Sequence, residues 1–170
     1  LFIGKKNEVY RYNEETANFD LYYQLPNGSL DIFCMHIDKG YLWIGTTTNG
    51  VYRLNIDKKE LEHPIRKGNI ISFYRDSGGE LWIGSWEEGL FHVKTNGKIE
   101  NFKYDAKNPH SLSSNFVRAC CEDNLGNIWI GTFNGLNRYN KSTGLFQNHT
   151  ANDIQSDGLT HSSIWCIVKD

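Results

Sequence analysis

Ile128-Trp129-Ile130-Gly131-Thr132 decides the fold, because the chain contains this stretch four times. Leu42-Trp43-Ile44-Gly45-Thr46 and Leu81-Trp82-Ile83-Gly84-Ser85 are near copies, and Leu1-Phe2-Ile3-Gly4-Lys5 is a fourth with Phe in the aromatic place. The aromatic stands at positions 2, 43, 82 and 129, in steps of 41, 39 and 47 residues. Self-similarity at a period of about 40–45 residues marks a repeat architecture. Each copy is a short apolar run, which suits a strand covered on both faces and is too short for a helix.

Upstream of each Trp, and once more near the end of the chain, lies a second strand-like run closing on an acid: Ile32 to Asp38, Ile70 to Asp76, Val117 to Asp123 and Ile164 to Asp170. Where a Trp follows, a Gly-containing tight turn joins the two runs, as expected for a hairpin in which Gly takes the positive φ and Asp bonds its own backbone. Downstream of each aromatic come Val9-Tyr10-Arg11-Tyr12, Val51-Tyr52-Arg53-Leu54, Leu90-Phe91-His92-Val93 and Leu136-Asn137-Arg138-Tyr139, each followed by a weaker fourth run. Four short antiparallel strands per period are the pattern of β-propeller blades. No segment holds a 3.6-residue apolar period over three turns, so no helix is expected.

The expected fold class is therefore all-β, with four repeats of four antiparallel strands. Residues 1–25 form a partial blade lacking its first strand, 32–66, 70–104 and 117–150 form complete blades, and 164–170 is the first strand of a next blade. Two arrangements fit. The ends could share a blade in a four-bladed ring, or the chain could be an arc of a larger propeller. An open arc exposes unpaired edges and an apolar blade face, so self-association is expected of it.

Composition narrows the function. The net charge is −2 without clustering of Lys and Arg, which argues against a nucleic-acid footprint or a polybasic membrane patch. No apolar run approaches 18 residues, so no membrane contact is expected of this segment. The four cysteines fall in repeat slots. Cys34 and Cys166 share a small-residue position with Ser72 and Ala119, and Cys120 occupies an apolar slot, so core packing is expected rather than disulfides or zinc. No metal or cofactor is expected, and no catalytic residue, because the recurring acids Asp38, Asp76, Asp123 and Asp170 obey the repeat as turn formers do. Arg11, Arg53 and Arg138 share one register of the third strand and are expected to make blade-to-blade ion pairs.

Gly126-Asn127-Ile128-Trp129-Ile130-Gly131-Thr132, then Gly135 to Asn140, with Ser111 to Val117 and Glu122-Asp123 ahead of them, resembles the two-component regulator propeller repeat. The resemblance spans the chain and is strongest around Trp82 and Trp129. It implies an arc of a seven-bladed propeller in the periplasmic sensor half of a Bacteroides-type hybrid two-component histidine kinase, feeding signal transduction through a phosphorelay. The remaining blades and a β-sandwich domain of the parent sensor are the implied partners. The implied stimulus is a glycan-derived oligosaccharide.

The loops between second and third strands vary most, and variable loops on a rigid frame carry binding. Trp86 and Phe133 hold equivalent places there, beside Glu87, Glu88 and Asn134, with Asn49 in the third copy. Such rings can stack on a sugar face while the polar groups bond its hydroxyls, or each can cap its own blade. Arg118 and Trp165 share an inner-strand slot near the expected channel, where interblade packing is the competing role. The candidate ligand-binding residues are thus Asn49, Trp86, Glu87, Phe133, Asn134 and Arg118. The polar connections at 105–115 and 151–163 lie on the same face. A structural or protein-docking propeller is the alternative. A propeller glycosidase, sialidase or lyase is more remote, since it needs several repeat-breaking polar residues at the channel and only Arg118 qualifies.

Overall fold

The computed structural model describes residues 1–26, 31–151, 159 and 161–170. Regular structure among them is entirely β. A three-stranded sheet holds β1 (Phe2–Lys5), β2 (Glu8–Asn13) and β3 (Asn18–Gln24). Three four-stranded sheets follow. They are β4 (Ile32–Asp38) to β7 (Leu61–Ile65) through β5 (Tyr41–Thr46) and β6 (Val51–Asn55); β8 (Ile70–Arg75) to β11 (Ile99–Phe102) through β9 (Leu81–Ser85) and β10 (Leu90–Val93); and β12 (Val117–Glu122) to β15 (Leu145–His149) through β13 (Ile128–Thr132) and β14 (Gly135–Asn140). In every sheet the strands neighbour one another in chain order, the up-and-down meander of a propeller blade. The chain divides into two compact units, 1–70 and 71–170.

Each blade carries the same row of cross-strand neighbours. Opposite Phe2, Trp43, Trp82 and Trp129 stand Arg11, Arg53, His92 and Arg138, and opposite those stand Asp20, Glu62, Glu100 and Gln147. The Arg53 guanidinium lies 5.3 Å from the Trp43 ring and pairs with Glu62. Arg138 donates to Gln147 Oε1 at 2.8 Å, and His92 stacks on Trp82 at 3.7 Å. Blade-to-blade ion pairs are not how Arg53 and Arg138 are used. Directly opposed residues on adjacent strands have Cβ atoms about 5 Å apart, so the nearest acceptor is in the same blade.

Two glycine positions set how successive segments join. A methyl group on Gly4 or Gly45 would fall 2.7 Å from Cγ2 of Ile32 or Ile70 in the first unit. In the second unit, one on Gly84 would meet the Val117 carbonyl oxygen at 2.7 Å, and one on Gly131 would meet Ile164 Cγ2 at 2.7 Å. The Trp-Ile-Gly glycine is therefore a socket for the residue that opens the next inner strand. Gly50, Gly89 and Gly135 sit at φ of 76°, 78° and 115°, a region that favours glycine. Their N–H groups donate to the carbonyls of Gly68, Asn115 and Ser162, two residues before Ile70, Val117 and Ile164. The buried hydroxyls of Thr46, Ser85 and Thr132 close the same loops by donating to the Gly50, Gly89 and Gly135 carbonyls at 2.9, 2.7 and 2.9 Å.

Residues 164–170, expected as the first strand of a next blade, carry no regular structure and pair with none of the described strands. Ile164 nevertheless takes the socket at Gly131, and its N–H donates to the Thr132 carbonyl at 2.9 Å.

The core of the second unit joins Trp82, Leu90, Leu112, Val117, Ile130 and Phe146. Trp82 is fully buried, with Tyr139 of the following blade edge-on at 5.4 Å, while Trp129 is half-buried. Two of the acids that close inner strands, Asp76 and Asp123, prove to be more than turn formers. They accept the indole N–H of Trp82 and Trp129 at 2.8 Å while also accepting turn N–H groups of Glu80 and Asn127 at 2.9 Å. The turn ahead of Trp43 is one residue shorter, and Trp43 Nε1 is buried without a hydrogen-bond partner.

Replacing Trp82 with Ala removes a fully buried ring and leaves a cavity, so the variant should lose about 3–5 kcal/mol in denaturant unfolding. An unchanged midpoint and slope would contradict this packing.

The clasps also predict a pH dependence. Burial alone would push both carboxyls up. Hydrogen bonds outweigh it, from Lys141 and Trp82 at Asp76 and from Asn127 and Trp129 at Asp123, holding Asp76 below its ordinary value and Asp123 down at about 2. A carboxyl whose folded pKa is depressed stabilises the fold above its unfolded pKa and loses that contribution as pH falls through the folded value. Stability should therefore decline from pH 3.8 toward pH 2, and Asp123→Asn should flatten the decline in urea unfolding followed across that window.

Candidate functional site

The strongest concentration of unusual side chains lies in the second unit, where β12 begins. The β12–β13 register shifts between Val117 and Ala119, so Arg118 is the extra residue of a bulge. Bulges re-aim side chains. Here the Arg118 guanidinium lies over two indoles, 3.4 Å from the ring centroid of Trp165 and 4.9 Å from that of Trp86. Trp86 meets Phe116 edge-on at 5.4 Å, and Phe116 lies 6.0 Å from Phe133.

Backbone geometry assembles this cluster. Phe133 donates its N–H to the Phe116 carbonyl at 3.1 Å, extending the β12–β13 ladder past its end. Gly89 donates to Asn115 at 3.0 Å, drawing the β9–β10 loop, and Trp86 with it, against the residue before β12. The rings remain open to solvent, with Trp86 37%, Phe133 56% and Trp165 69% exposed.

Electrostatically the cluster is a held cation. Arg118 has no ion pair or hydrogen-bond partner among the described residues, and its Nε is buried without one. Cation–π contact satisfies the faces of a guanidinium and leaves its N–H edge unused. The loop acid Glu88 is paired with Lys103 at 2.8 Å, while Glu87 is exposed beside Trp86.

Of the six residues that the sequence nominates, the structure brings Trp86, Phe133 and Arg118 together, with Glu87 next to Trp86 on its loop. Asn134 is used locally, its N–H donating to Thr132 Oγ1 at 3.1 Å and its amide to the Ser113 carbonyl at 3.5 Å. Asn49 belongs to the first unit, and its amide donates to the Tyr52 hydroxyl at 2.8 Å. Phe116 and Trp165 complete the cluster and were not among the six. Phe116 carried a readable signal, since its repeat slot holds Asp31, Asn69 and Ser163 elsewhere.

The 105–115 connection is less available than its polarity suggests. Ser111, Leu112 and Ser113 are buried, and Asn137 ties Ser113 down through its N–H at 2.8 Å and its hydroxyl at 2.9 Å. Most of the 151–163 connection lies outside the described residues. A separate groove of about 470 Å³, lined by Cys121, Trp129, Ile164, Cys166 and Val168, shares no residue with the Arg118 cluster.

Residues 64–87 and 111–134 match the family model of the two component regulator propeller. These are two-component regulator propeller repeats. Solved structures agree on the fold. The extracellular domain assigned to a hybrid two component system of B. thetaiotaomicron is 18% identical over 99% of this chain and 30% of its own length, with a TM-score of 0.57. An auxiliary nutrient binding protein from Bacteroides thetaiotaomicron VPI-5482 is 14% identical, covering 86% of this chain and 37% of that one, with a TM-score of 0.57. The computationally designed Ika8 protein reaches a TM-score of 0.62 at 13% identity, over 99% of this chain and 52% of that one. The chain thus spans less than a third of the extracellular domain it resembles. No curated protein matches the sequence.

All four cysteines of the chain are free, and no metal-holding group of His, Cys, Asp and Glu occurs among the described residues. Burial raises the thiols of Cys34 and Cys120 to about 12. Cys166 departs from the expected core role. It is exposed, because residues 164–170 have no paired strand to cover it. Since the thiolate is the reactive form, a thiol reagent should label Cys166 rapidly in the native chain and Cys34 and Cys120 only on unfolding, as peptide mass spectrometry would show. Fast native labelling of Cys120 would contradict the packing.

Proposed function

We propose that the chain is a non-catalytic, ligand-sensing propeller segment of a periplasmic two-component sensor, and that its ligand is a glycan-derived oligosaccharide. One observation carries the reading: exposed Trp86 and Trp165 lie over an unpaired guanidinium where two successive chain repeats meet, with exposed Phe133 joined to Trp86 through Phe116. A sugar ring offers apolar C–H faces to such rings and hydroxyls to Glu87 and Arg118, the mixture of apolar walls and few polar groups that binding sites use. The repeat family supports the sensor role. The likeness to the extracellular domain of a hybrid two component system supports a place outside the cytoplasm, and that to a nutrient binding protein is in keeping with a glycan ligand. The other blades and a sandwich domain of the parent sensor are the partners to which binding is passed on.

Titration with a panel of plant and host oligosaccharides, followed by Trp fluorescence, tests the proposal. Binding should saturate, and Trp86→Ala and Phe133→Ala should each weaken it about tenfold or more, the scale of losing one stacked ring. Binding unaffected by both substitutions would move the site away from this cluster.

A further inference from the structure

The guanidinium edge of Arg118 is the part of the cluster whose hydrogen-bonding capacity is unspent. Its carbon lies 3.4 Å and 4.9 Å from the ring centroids of Trp165 and Trp86, and neither indole can accept its in-plane N–H groups. No carboxylate, carbonyl or amide oxygen among the described residues takes them, and Nε is buried without a partner. Two third-strand arginines have polar partners, Arg53 pairing with Glu62 and Arg138 bonding Gln147, while Arg11 lies over the Phe2 and Tyr22 rings at 5.9 and 6.0 Å. Arg118 differs from Arg53 and Arg138 in having no polar partner among the described residues. It stands on a bulge, in a slot filled by Phe33, Ile71 and Trp165 in the other repeats, so the inner-strand packing does not call for a cation.

We infer that the ligand is acidic: a carboxylate on the sugar docks against the N–H edge of Arg118 while the ring stacks on the neighbouring aromatics. The inference rests on the oligosaccharide reading above and narrows its class to uronate-bearing sugars. A carboxylate matches the planar fork of a guanidinium in a bidentate pair, which a hydroxyl cannot. The two indoles fix the orientation of the fork beforehand, so little freedom is lost when the pair forms. The acids on the nearby loop leave room for an incoming anion, since Glu88 is neutralised by Lys103 at 2.8 Å and the exposed Glu87 faces solvent screening.

The test uses the whole chain and two trisaccharide uronates, one of galacto and one of gluco configuration, each compared with its methyl ester. The ester keeps ring shape and stacking and removes only the charge. At least one acid should bind on the order of tenfold to a hundredfold tighter than its ester, the range of a charge-assisted hydrogen-bonded pair, and added salt should narrow the gap. Arg118→Gln should abolish the gap and leave ester affinity in place, whereas Trp86→Ala should weaken acid and ester alike. Acid and ester binding equally well would overturn the acidic ligand and leave the oligosaccharide reading standing. Binding of none of the four would overturn both. A preference for the acid that survives Arg118→Gln would place the carboxylate elsewhere and overturn the assignment. The wild-type comparison does not depend on the variant, and thermal melts of Arg118→Gln establish that it remains folded.

Discussion

The absence of a side chain at one position of each repeat is the constraint on which everything else depends. At Gly45, Gly84 and Gly131 the backbone of a second strand comes so near the start of the next inner strand that a Cβ would stand 2.7 Å from Ile70, Val117 or Ile164. That approach fixes where the next segment begins. The loop glycines Gly50, Gly89 and Gly135 then hydrogen-bond the carbonyl two residues ahead of that start, so loop and strand entry are held as one unit. The Arg118 cluster is a by-product of this joint. Whatever side chain follows the hydroxyl of a loop must lie near whatever precedes the next inner strand, and in the second unit those side chains are Trp86 and Phe116. Scaffold and site therefore share one cause.

The same joint in the second unit has a charged end. Lys141 pairs with Asp76 at 2.8 Å and Glu122 at 3.1 Å, and Ser77 donates its N–H to Glu122 at 2.7 Å. Asp76 is the hub, with a fully buried side chain that also serves Trp82 and Glu80. A buried ion cluster contributes little net stability, because desolvation offsets much of the attraction, but removing one member leaves an uncompensated charge and is costly. Its consequence here is alignment. Asp76 follows β8, Glu122 ends β12 and Lys141 follows β14, so only one sliding position of the two blades satisfies all three groups. With Gly84 setting the spacing and the ion cluster setting the slide, the aromatic end of the joint has a defined geometry.

The repeat was legible because it is written in apolar periodicity and turn residues, which local sequence carries well. Less legible were interactions whose partner lies across a ladder. Asp76 and Asp123 read as turn formers, since nothing in a linear string shows that an acid six residues ahead of an indole can reach its N–H. Arg53 and Arg138 read as blade-to-blade ion pairs because register between third and fourth strands cannot be counted without the turn geometry, and the turns differ in length. Cys166 read as core from its slot, but burial depends on a paired strand and not on the slot alone. At the site, aromatics that escape the repeat were visible, and so was Arg118. Asn49 and Asn134 looked equally suited, yet loops of this tightness consume their amides internally. Polarity marks a candidate; only geometry shows whether its hydrogen bonds are already spent.

The position of Arg118 bears on how a sensor could work. A ligand shifts a conformational equilibrium only by the difference in its affinity for the two states. A sugar resting on one rigid blade binds both states alike and signals nothing, however tightly it is held. The Arg118 cluster is not on one blade. Trp86 comes from the β9–β10 loop, Phe116 and Arg118 from the entry to β12, and Trp165 from the segment beyond β15. Three stretches of chain meet there, joined by a few backbone hydrogen bonds such as Gly89 to Asn115 and Ile164 to Thr132, and otherwise touching through ring edges and a stacked cation. Ring and cation contacts tolerate small displacements that a hydrogen-bonded ladder does not, so this is the part of the joint able to adjust. A ligand that bonds the guanidinium edge and stacks on the rings spans all three stretches at once. The affinity of such a ligand would depend on their relative placement, which is the dependence that the proposed sensing role requires.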